Sequence, residues 1–92
     1  MKNLVIMPTY NEAENLRQSV TELFRYNDDI DLLIVDDNSP DGTGKLADEL
    51  AAESEHIRVL HRAGKGGLGP AYLAGFAWGT EQGYQRLIEM DA

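Results

Sequence analysis

The sequence predicts a single α/β domain with three layers, in which helices cover both faces of a parallel β-sheet. Four short apolar runs recur along the 92 residues, at 4–7, 32–35, 57–60 and 87–90. They begin at residues 4, 32, 57 and 87, so successive starts are 28, 25 and 30 residues apart. That spacing is close to the roughly 30 residues of a β-α-β unit. A helical pattern lies between successive runs, and the predicted order is therefore β-α-β-α-β-α-β.

The first two runs are continuous rather than alternating, which is typical of strands that are buried on both faces. The third and fourth runs each contain one charged residue, Arg58 and Glu89, which makes their pattern less regular. Parallel strands joined through helices need crossover connections, and these are right-handed in nearly all known folds.

The three helical patterns have recognisable starts. The first helix is predicted to begin near Glu12, with Asn11 as its cap and Glu14 completing a capping-box pattern. The second follows residues 41–43, and the third follows Gly69. Pro70 suits the first turn of that helix. The buried faces of the first two helices are predicted to contain Leu16, Val20, Leu23 and Phe24, and Leu46, Ala47, Leu50 and Ala51. The third helix is apolar on most sides and is expected to be well buried.

The composition excludes several classes of protein. There are 16 acidic and 8 basic residues, a formal net charge of −8, which argues against a nucleic-acid partner. The chain has no cysteine, so it has neither disulfides nor a thiolate metal site, as expected of a cytoplasmic protein. No apolar run approaches the roughly 18–20 residues that cross a membrane.

Polar residues follow three of the four predicted strands. They occupy residues 8–12, 36–43 and position 91. Ligands of open parallel sheets bind beyond the carboxyl ends of the strands, so these segments are the candidate site. Each also has a plain structural interpretation as a turn, a helix cap, a surface aromatic, a solvated strand end or a frayed terminal residue. An acidic pair such as Asp36 and Asp37 needs cationic or donor-rich neighbours, which a ribose, a base edge or a metal could supply.

The glycine-rich segment 64–69 formally matches the dinucleotide pattern G-x-G-x-x-G. That pattern belongs to the first strand–helix turn, whereas this segment lies in the third unit. A P-loop would need Ser or Thr after Gly64-Lys65, and Gly66 stands there. Two interpretations stay open: a loop that brings Lys65, and with it Arg62, to a phosphate, or a helix entry with exposed cations.

The polar segments together resemble the family 2 glycosyltransferases. The matching blocks are P-T-Y-N-E at 8–12, V-D-D-N-S-P-D-G-T at 35–43, G-L-G-P-A-Y at 67–72 and M-D-A at 90–92. The G-L-G-x-A-Y block is similar to the polyprenol (dolichol) phosphate mannosyltransferase branch of that family. The resemblance implies the nucleotide-binding half of a GT-A, Rossmann-like domain over residues 1–92.

The resemblance also implies roles for individual residues. Nucleotide contacts would come from Pro8, Tyr10, Glu12, Val35, Asp37, Asp91 and Ala92. Asp91 would be the first ligand of the family's D-x-D metal motif, and Ala92 its middle residue. The second Asp of that motif would follow Ala92, where the sequence given ends. No catalytic residue is assigned.

For the complete enzyme the family implies inverting, metal-dependent transfer of mannose from GDP-mannose to polyprenyl or dolichyl phosphate. Mg²⁺ or Mn²⁺ would be the cofactor, and the acceptor would lie at the cytoplasmic face of a membrane, to which the protein would be peripheral. The 92 residues alone are expected to be inactive. In the family the fourth strand is internal, so here it would be an edge that favours a homodimer.

Other functions stay open at this point. The chain could use another nucleotide sugar, or it could be a nucleotide-binding module without catalysis. A dehydrogenase module would use residues 64–69 for NADH. A receiver-like signalling domain would carry its acidic pair after the first strand, whereas here the pair follows the second.

Overall fold

The computed structural model describes residues 3–63 and 66–91 as alternating strands and helices. Their bounds are β1 Asn3–Thr9, α1 Leu16–Tyr26, β2 Ile30–Asp36, α2 Thr43–Glu53, β3 Ile57–His61, α3 Leu68–Glu81 and β4 Arg86–Glu89. All four predicted strands are present. Strands β1, β2 and β3 contain their apolar runs completely, and β4 begins and ends one residue before its run. The predicted β-α-β-α-β-α-β order is confirmed.

The four strands form one parallel sheet in the order β3-β2-β1-β4. The chain proceeds from β1 to β2 and β3 on one side and then returns to place β4 on the other side of β1. Such a reversal of strand order opens a crevice at the carboxyl ends of the strands, where ligands of this fold class bind. The reversal lies between β1 and β4, and the topology therefore directs attention to the carboxyl end of β1 and the segments beside it.

Alternate residues of the central strands pack on opposite helical layers. Val5, Met7, Leu32 and Ile34 face α1 and α2. Leu4, Ile6, Leu33 and Val35 face α3. The predicted three-layer α/β/α fold is confirmed, and the predicted buried faces of α1 and α2 meet the first of these two cores. Burial on both faces explains why the first two apolar runs are continuous.

Helix α3 is buried along a narrower face than its composition predicts. Its buried residues are Ala71, Gly75 and Gly79, spaced four apart, whereas Leu73 is 68% exposed. Small residues let the helix approach the sheet closely, so that a Cβ on Gly75 would lie 2.5 Å from Ile6 Cγ2. The expectation of a well-buried helix is wrong for the opposite side, since among the described residues no element packs over Leu73.

Helix α1 begins at Leu16, four residues later than predicted. Residues 13–15 form a turn, in which the N–H of Leu16 donates to the Glu12 carbonyl at 2.8 Å. Asn11 has a left-handed φ of 56° instead of the extended backbone of a cap residue. The cap position is taken by Asn15, whose side chain makes no capping hydrogen bond. Helix α3 begins at Leu68, which leaves Pro70 in the first turn as predicted.

Across residues 3–63 and 66–91, none of the helices is long and apolar enough to cross a membrane.

Candidate functional site

A pocket of about 210 Å³ opens where the carboxyl ends of β1 and β2 meet the start of α3. We call residues 10–15 the β1 loop and residues 37–42 the β2 loop. The pocket is lined by Pro8, Thr9, Tyr10, Glu12, Asp37, Gly67, Leu68 and Ala71. It therefore combines two carboxylates and an aromatic ring with an apolar wall from α3.

Four of the residues singled out in the sequence line this pocket: Pro8, Tyr10, Glu12 and Asp37. Val35 does not, because it is fully buried in the core beneath α3. Asp91 lies after β4 and outside the lining. Lys65 and Ala92 fall outside the described residues. The structure thus brings the β1 and β2 segments together, while Asp91, which follows β4 at the same edge of the sheet, is not among the lining residues.

Asp37 is held by donors from the loop that follows β3. Its side chain is 6% exposed and accepts a hydrogen bond from Arg62 Nη1 at 3.1 Å. The backbone N–H of Gly66 donates to the other carboxylate oxygen at 3.1 Å. Arg62 was a candidate phosphate contact, but here its guanidinium pairs with Asp37. The donors that an acidic pair requires are therefore present within the protein itself.

Asp36 is also buried, but its hydrogen-bond partners differ from those of Asp37. Its carboxylate accepts hydrogen bonds from the Thr9 hydroxyl at 2.7 Å and from the Ser39 hydroxyl at 2.6 Å. The Ser39 N–H adds a third bond at 3.0 Å. Asp36 therefore joins the ends of β1 and β2, while Asp37 lines the pocket.

The β1 loop is fastened to the β2 loop by side-chain oxygens. Asp41 accepts hydrogen bonds from the N–H groups of Ala13 and Thr43 and from the Thr43 hydroxyl. The Thr43 hydroxyl bond is the largest reason that the pKa of Asp41 lies below its ordinary value of 3.8. The carboxylate is consequently ionised at neutral pH and can only accept.

Asp91 is bound to α3 rather than to the pocket residues. The Tyr72 hydroxyl donates to its carboxylate at 2.9 Å. Burial, followed by this hydrogen bond and the Asp91 charge, raises the pKa of Tyr72 to about 12. In the described residues no three Asp, Glu, His or Cys side chains converge as a metal site. Asp91 alone fits a Mg²⁺-like ion only if other ligands, such as diphosphate oxygens and water, complete its shell.

Several residues of this region have no individual role assigned from the sequence, although they lie in the segments 8–12 and 67–72 that the sequence singles out. Thr9, Gly67, Leu68 and Ala71 line the pocket, and Tyr72 holds Asp91. One available signal was the position of Arg62, which follows β3 as Asp37 follows β2. Neighbouring parallel strands end at the same edge, so these two residues were candidates for pairing.

The fold is an α/β domain with a pocket at the carboxyl ends of its parallel strands, and comparison with known proteins identifies the family. Residues 4–92 match the model of glycosyl transferase family 2, and the chain belongs to that family. This confirms the resemblance found in the sequence.

Two named relatives match nearly the whole of this chain. The chain is 55% identical to the polyprenol monophosphomannose synthase of Mycolicibacterium smegmatis, over 99% of this chain and 35% of that protein. It is 54% identical to the undecaprenyl-phosphate mannosyltransferase of Micrococcus luteus, over 100% of this chain and 38% of that protein. The chain thus spans little more than a third of the length of these relatives.

A solved structure shares the fold. A mannosyltransferase from Pyrobaculum calidifontis, in complex with GDP-Man and Mn²⁺, superposes with a TM-score of 0.73 at 24% identity. The match covers 82% of this chain and 23% of that chain. It supports the GT-A-type arrangement of the parallel sheet and its helices.

Proposed function

We propose that these 92 residues form one donor-binding unit of a polyprenol-phosphate mannosyltransferase, and that the unit binds GDP-mannose. The observation that carries the proposal is the pocket at the carboxyl ends of β1 and β2, where Tyr10, Glu12 and Asp37 meet. The 54–55% identity to two enzymes named for mannose and polyprenyl phosphates supports this choice of donor and acceptor.

The pocket side chains suit a nucleoside. The Tyr10 ring offers a flat surface for a base, and the carboxylates of Glu12 and Asp37 can accept from base N–H groups or ribose hydroxyls. Arg62 and the Gly66 N–H fix the orientation of Asp37, so its carboxylate does not have to be ordered when the nucleotide binds. Pro8 would form the base of the pocket, and Val35 would support it from the core.

The diphosphate would extend from the pocket toward Asp91. We infer that Asp91 contributes one oxygen ligand to Mg²⁺ or Mn²⁺, while the diphosphate contributes others, as is usual for Mg²⁺ bound with phosphates. Such an ion would offset the negative charge that develops on the leaving diphosphate. Lys65 and Ala92 remain candidates for diphosphate contact outside the described residues.

The acceptor in this proposal is a polyprenyl phosphate at the cytoplasmic face of a membrane, with the protein bound peripherally. A phosphate acceptor is already an anion, so its attack on the sugar carbon does not require a general base. Because the chain spans little more than a third of its relatives, we expect the 92 residues alone to bind donor without transferring mannose. Another nucleotide sugar is the alternative donor.

Calorimetry with the 92-residue chain tests the proposal. GDP should bind more tightly than UDP, and Mn²⁺ should increase the affinity for GDP. Asp37→Asn keeps the shape of the side chain but removes its charge, and it should weaken GDP binding about tenfold. The matched control is Asp29→Asn, an exposed residue at the opposite end of the sheet, which should leave affinity unchanged. Equal GDP affinity in the wild type and Asp37→Asn would contradict the assignment, and tighter UDP binding would favour the alternative donor.

A further inference from the structure

Three successive backbone N–H groups of the β1 loop are held by side chains that follow β2. Asn11 donates to Ser39 Oγ at 3.1 Å, Glu12 to Thr43 Oγ1 at 2.8 Å, and Ala13 to Asp41 Oδ2 at 3.2 Å. We call Ser39, Asp41 and Thr43 the loop clamp. These residues belong to the D-D-N-S-P-D-G-T segment, but the nucleotide contacts proposed above do not use them.

Thr43 is the most buried member of the loop clamp, with none of its surface exposed. Its hydroxyl has one proton, which it donates to Asp41, and its oxygen accepts the N–H of Glu12. The directions of these bonds follow from the chemistry, because a carboxylate only accepts and a backbone N–H only donates. Removal of the hydroxyl would leave the Glu12 N–H without this acceptor and Asp41 without this donor.

The loop clamp holds a backbone shape that a free chain seldom adopts. Asn11 has a φ of 56°, in the left-handed region that residues other than glycine seldom occupy, although asparagine enters it more readily than most. It stands between Tyr10 and Glu12, which both line the pocket. The left-handed turn at Asn11 therefore determines how these two side chains are directed, and bonds on either side of it maintain the turn.

We propose that Thr43 is a positioning residue for nucleotide binding, which holds the Glu12 N–H and thereby presents Tyr10 and Glu12 to the ligand. The inference rests on the proposed function for the identity of the ligand, but the contact between Thr43 and Glu12 is independent of it. A loop fixed before binding does not lose further conformational freedom when the ligand arrives. Thr43 thus affects affinity without touching the nucleotide.

The test replaces the hydroxyl while keeping the branched shape. In the 92-residue chain, Thr43→Val should weaken GDP binding about tenfold by calorimetry and speed hydrogen exchange of the Glu12 amide by NMR. Thr43→Ser restores a hydroxyl and should return both measurements to within about twofold of the wild type. The control is Val20→Ala, which removes core methyl groups from α1 and should lower stability while GDP affinity is kept.

The outcomes separate this inference from the proposed function. Wild-type GDP affinity in Thr43→Val, or an equal loss of affinity in Val20→Ala, would overturn the positioning role. If Thr43→Val does not fold, Ser39→Ala tests the adjoining bond, and unchanged exchange of the Asn11 amide together with unchanged GDP affinity would overturn the inference. A wild-type chain that binds no GDP would contradict the proposed function, whereas exchange of the Glu12 amide would still decide whether Thr43 holds the loop.

Discussion

At the scale of single residues, Asp36 and Asp37 show how one strand end serves two purposes. Successive side chains of a strand point in opposite directions, so neighbouring carboxylates reach different surroundings. Asp36 accepts hydrogen bonds from the hydroxyl groups of Thr9 and Ser39 and so links the ends of β1 and β2. Asp37 accepts a hydrogen bond from the Arg62 guanidinium and lines the pocket. Each carboxylate therefore has its own set of donors within the protein.

The Tyr72–Asp91 bond leads to a prediction about pH. Because the pKa of Tyr72 is raised to about 12, the bond stabilises the fold below the ordinary tyrosine pKa of 10.0, and this contribution is lost as pH rises toward 12. Tyr72→Phe should lower the free energy of unfolding at pH 8 by about 0.5–1 kcal/mol. Urea unfolding at pH 8 and pH 11 measures the difference from wild type.

That difference should shrink at pH 11, where the unfolded tyrosine is ionised and the folded one is largely not. Tyr26→Phe, at a residue that is 78% exposed, is the control and should change stability little at either pH. A loss of stability in Tyr72→Phe that is as large at pH 11 as at pH 8 would argue that packing, rather than the hydroxyl bond, accounts for the effect.

At the scale of elements, the distance between α3 and the sheet depends on its small residues. A Cβ at Gly75 would lie 2.5 Å from Ile6 Cγ2, and Ile6 is fully buried. Gly75→Ala should therefore destabilise the fold by about 1–3 kcal/mol, even though alanine favours helices over glycine by about 1 kcal/mol. Thermal unfolding measures the change.

Gly69 provides the matched substitution in the same helix. A Cβ there would meet nothing within 4 Å, so Gly69→Ala should be neutral or stabilising by up to about 1 kcal/mol. The critical observation is that the two substitutions change the free energy of unfolding in different directions. If Gly75→Ala were as stable as Gly69→Ala, the helix could move away from the sheet without cost, and the close approach would not matter for stability.

The element boundaries also show where local patterns in the sequence are informative and where they fail. Strands β1 and β2 were predictable because burial on both faces requires continuous apolar residues. The start of α1 was not, although Asn11 and Glu14 have the spacing of a capping box. The backbone N–H of Asn11 donates instead to the hydroxyl oxygen of Ser39, which lies 28 residues further along the chain. A tertiary hydrogen bond of that kind leaves no local pattern.

At the scale of the molecule, the position of the candidate site was predictable from topology, and its detail was not. Parallel strands bring their carboxyl ends together, which is why Tyr10, Glu12 and Asp37 could be grouped before the structure was known. The sequence leaves Arg62 as a candidate phosphate contact, whereas in the structure it pairs with Asp37, because side-chain direction in the loop after β3 depends on contacts across the sheet. Leu68 reaches the pocket because α3 begins one residue before Gly69.

The sheet has an edge at β4 that suits a second copy of the 92-residue chain. Within the described residues β4 pairs only with β1, and Ile88 is 41% exposed. In an antiparallel pairing of two β4 strands about a two-fold axis, one residue lies opposite its own copy; with Ile88 at the axis, the two Ile88 side chains would meet and Leu87 would face Glu89 of the other copy. This pairing would cover the exposed part of both Ile88 side chains.

We accordingly expect the chain to form a homodimer, so that its mass, measured by sedimentation, rises with protein concentration. Ile88→Lys places a charge on the edge and should leave a monomer at all concentrations, because like charges would then lie near each other across the axis. Leu73→Lys, on an exposed position of α3 away from the edge, should leave the association intact. A wild-type chain that stays monomeric at millimolar concentration, or a dimer that survives Ile88→Lys, would show that β4 does not pair with its copy.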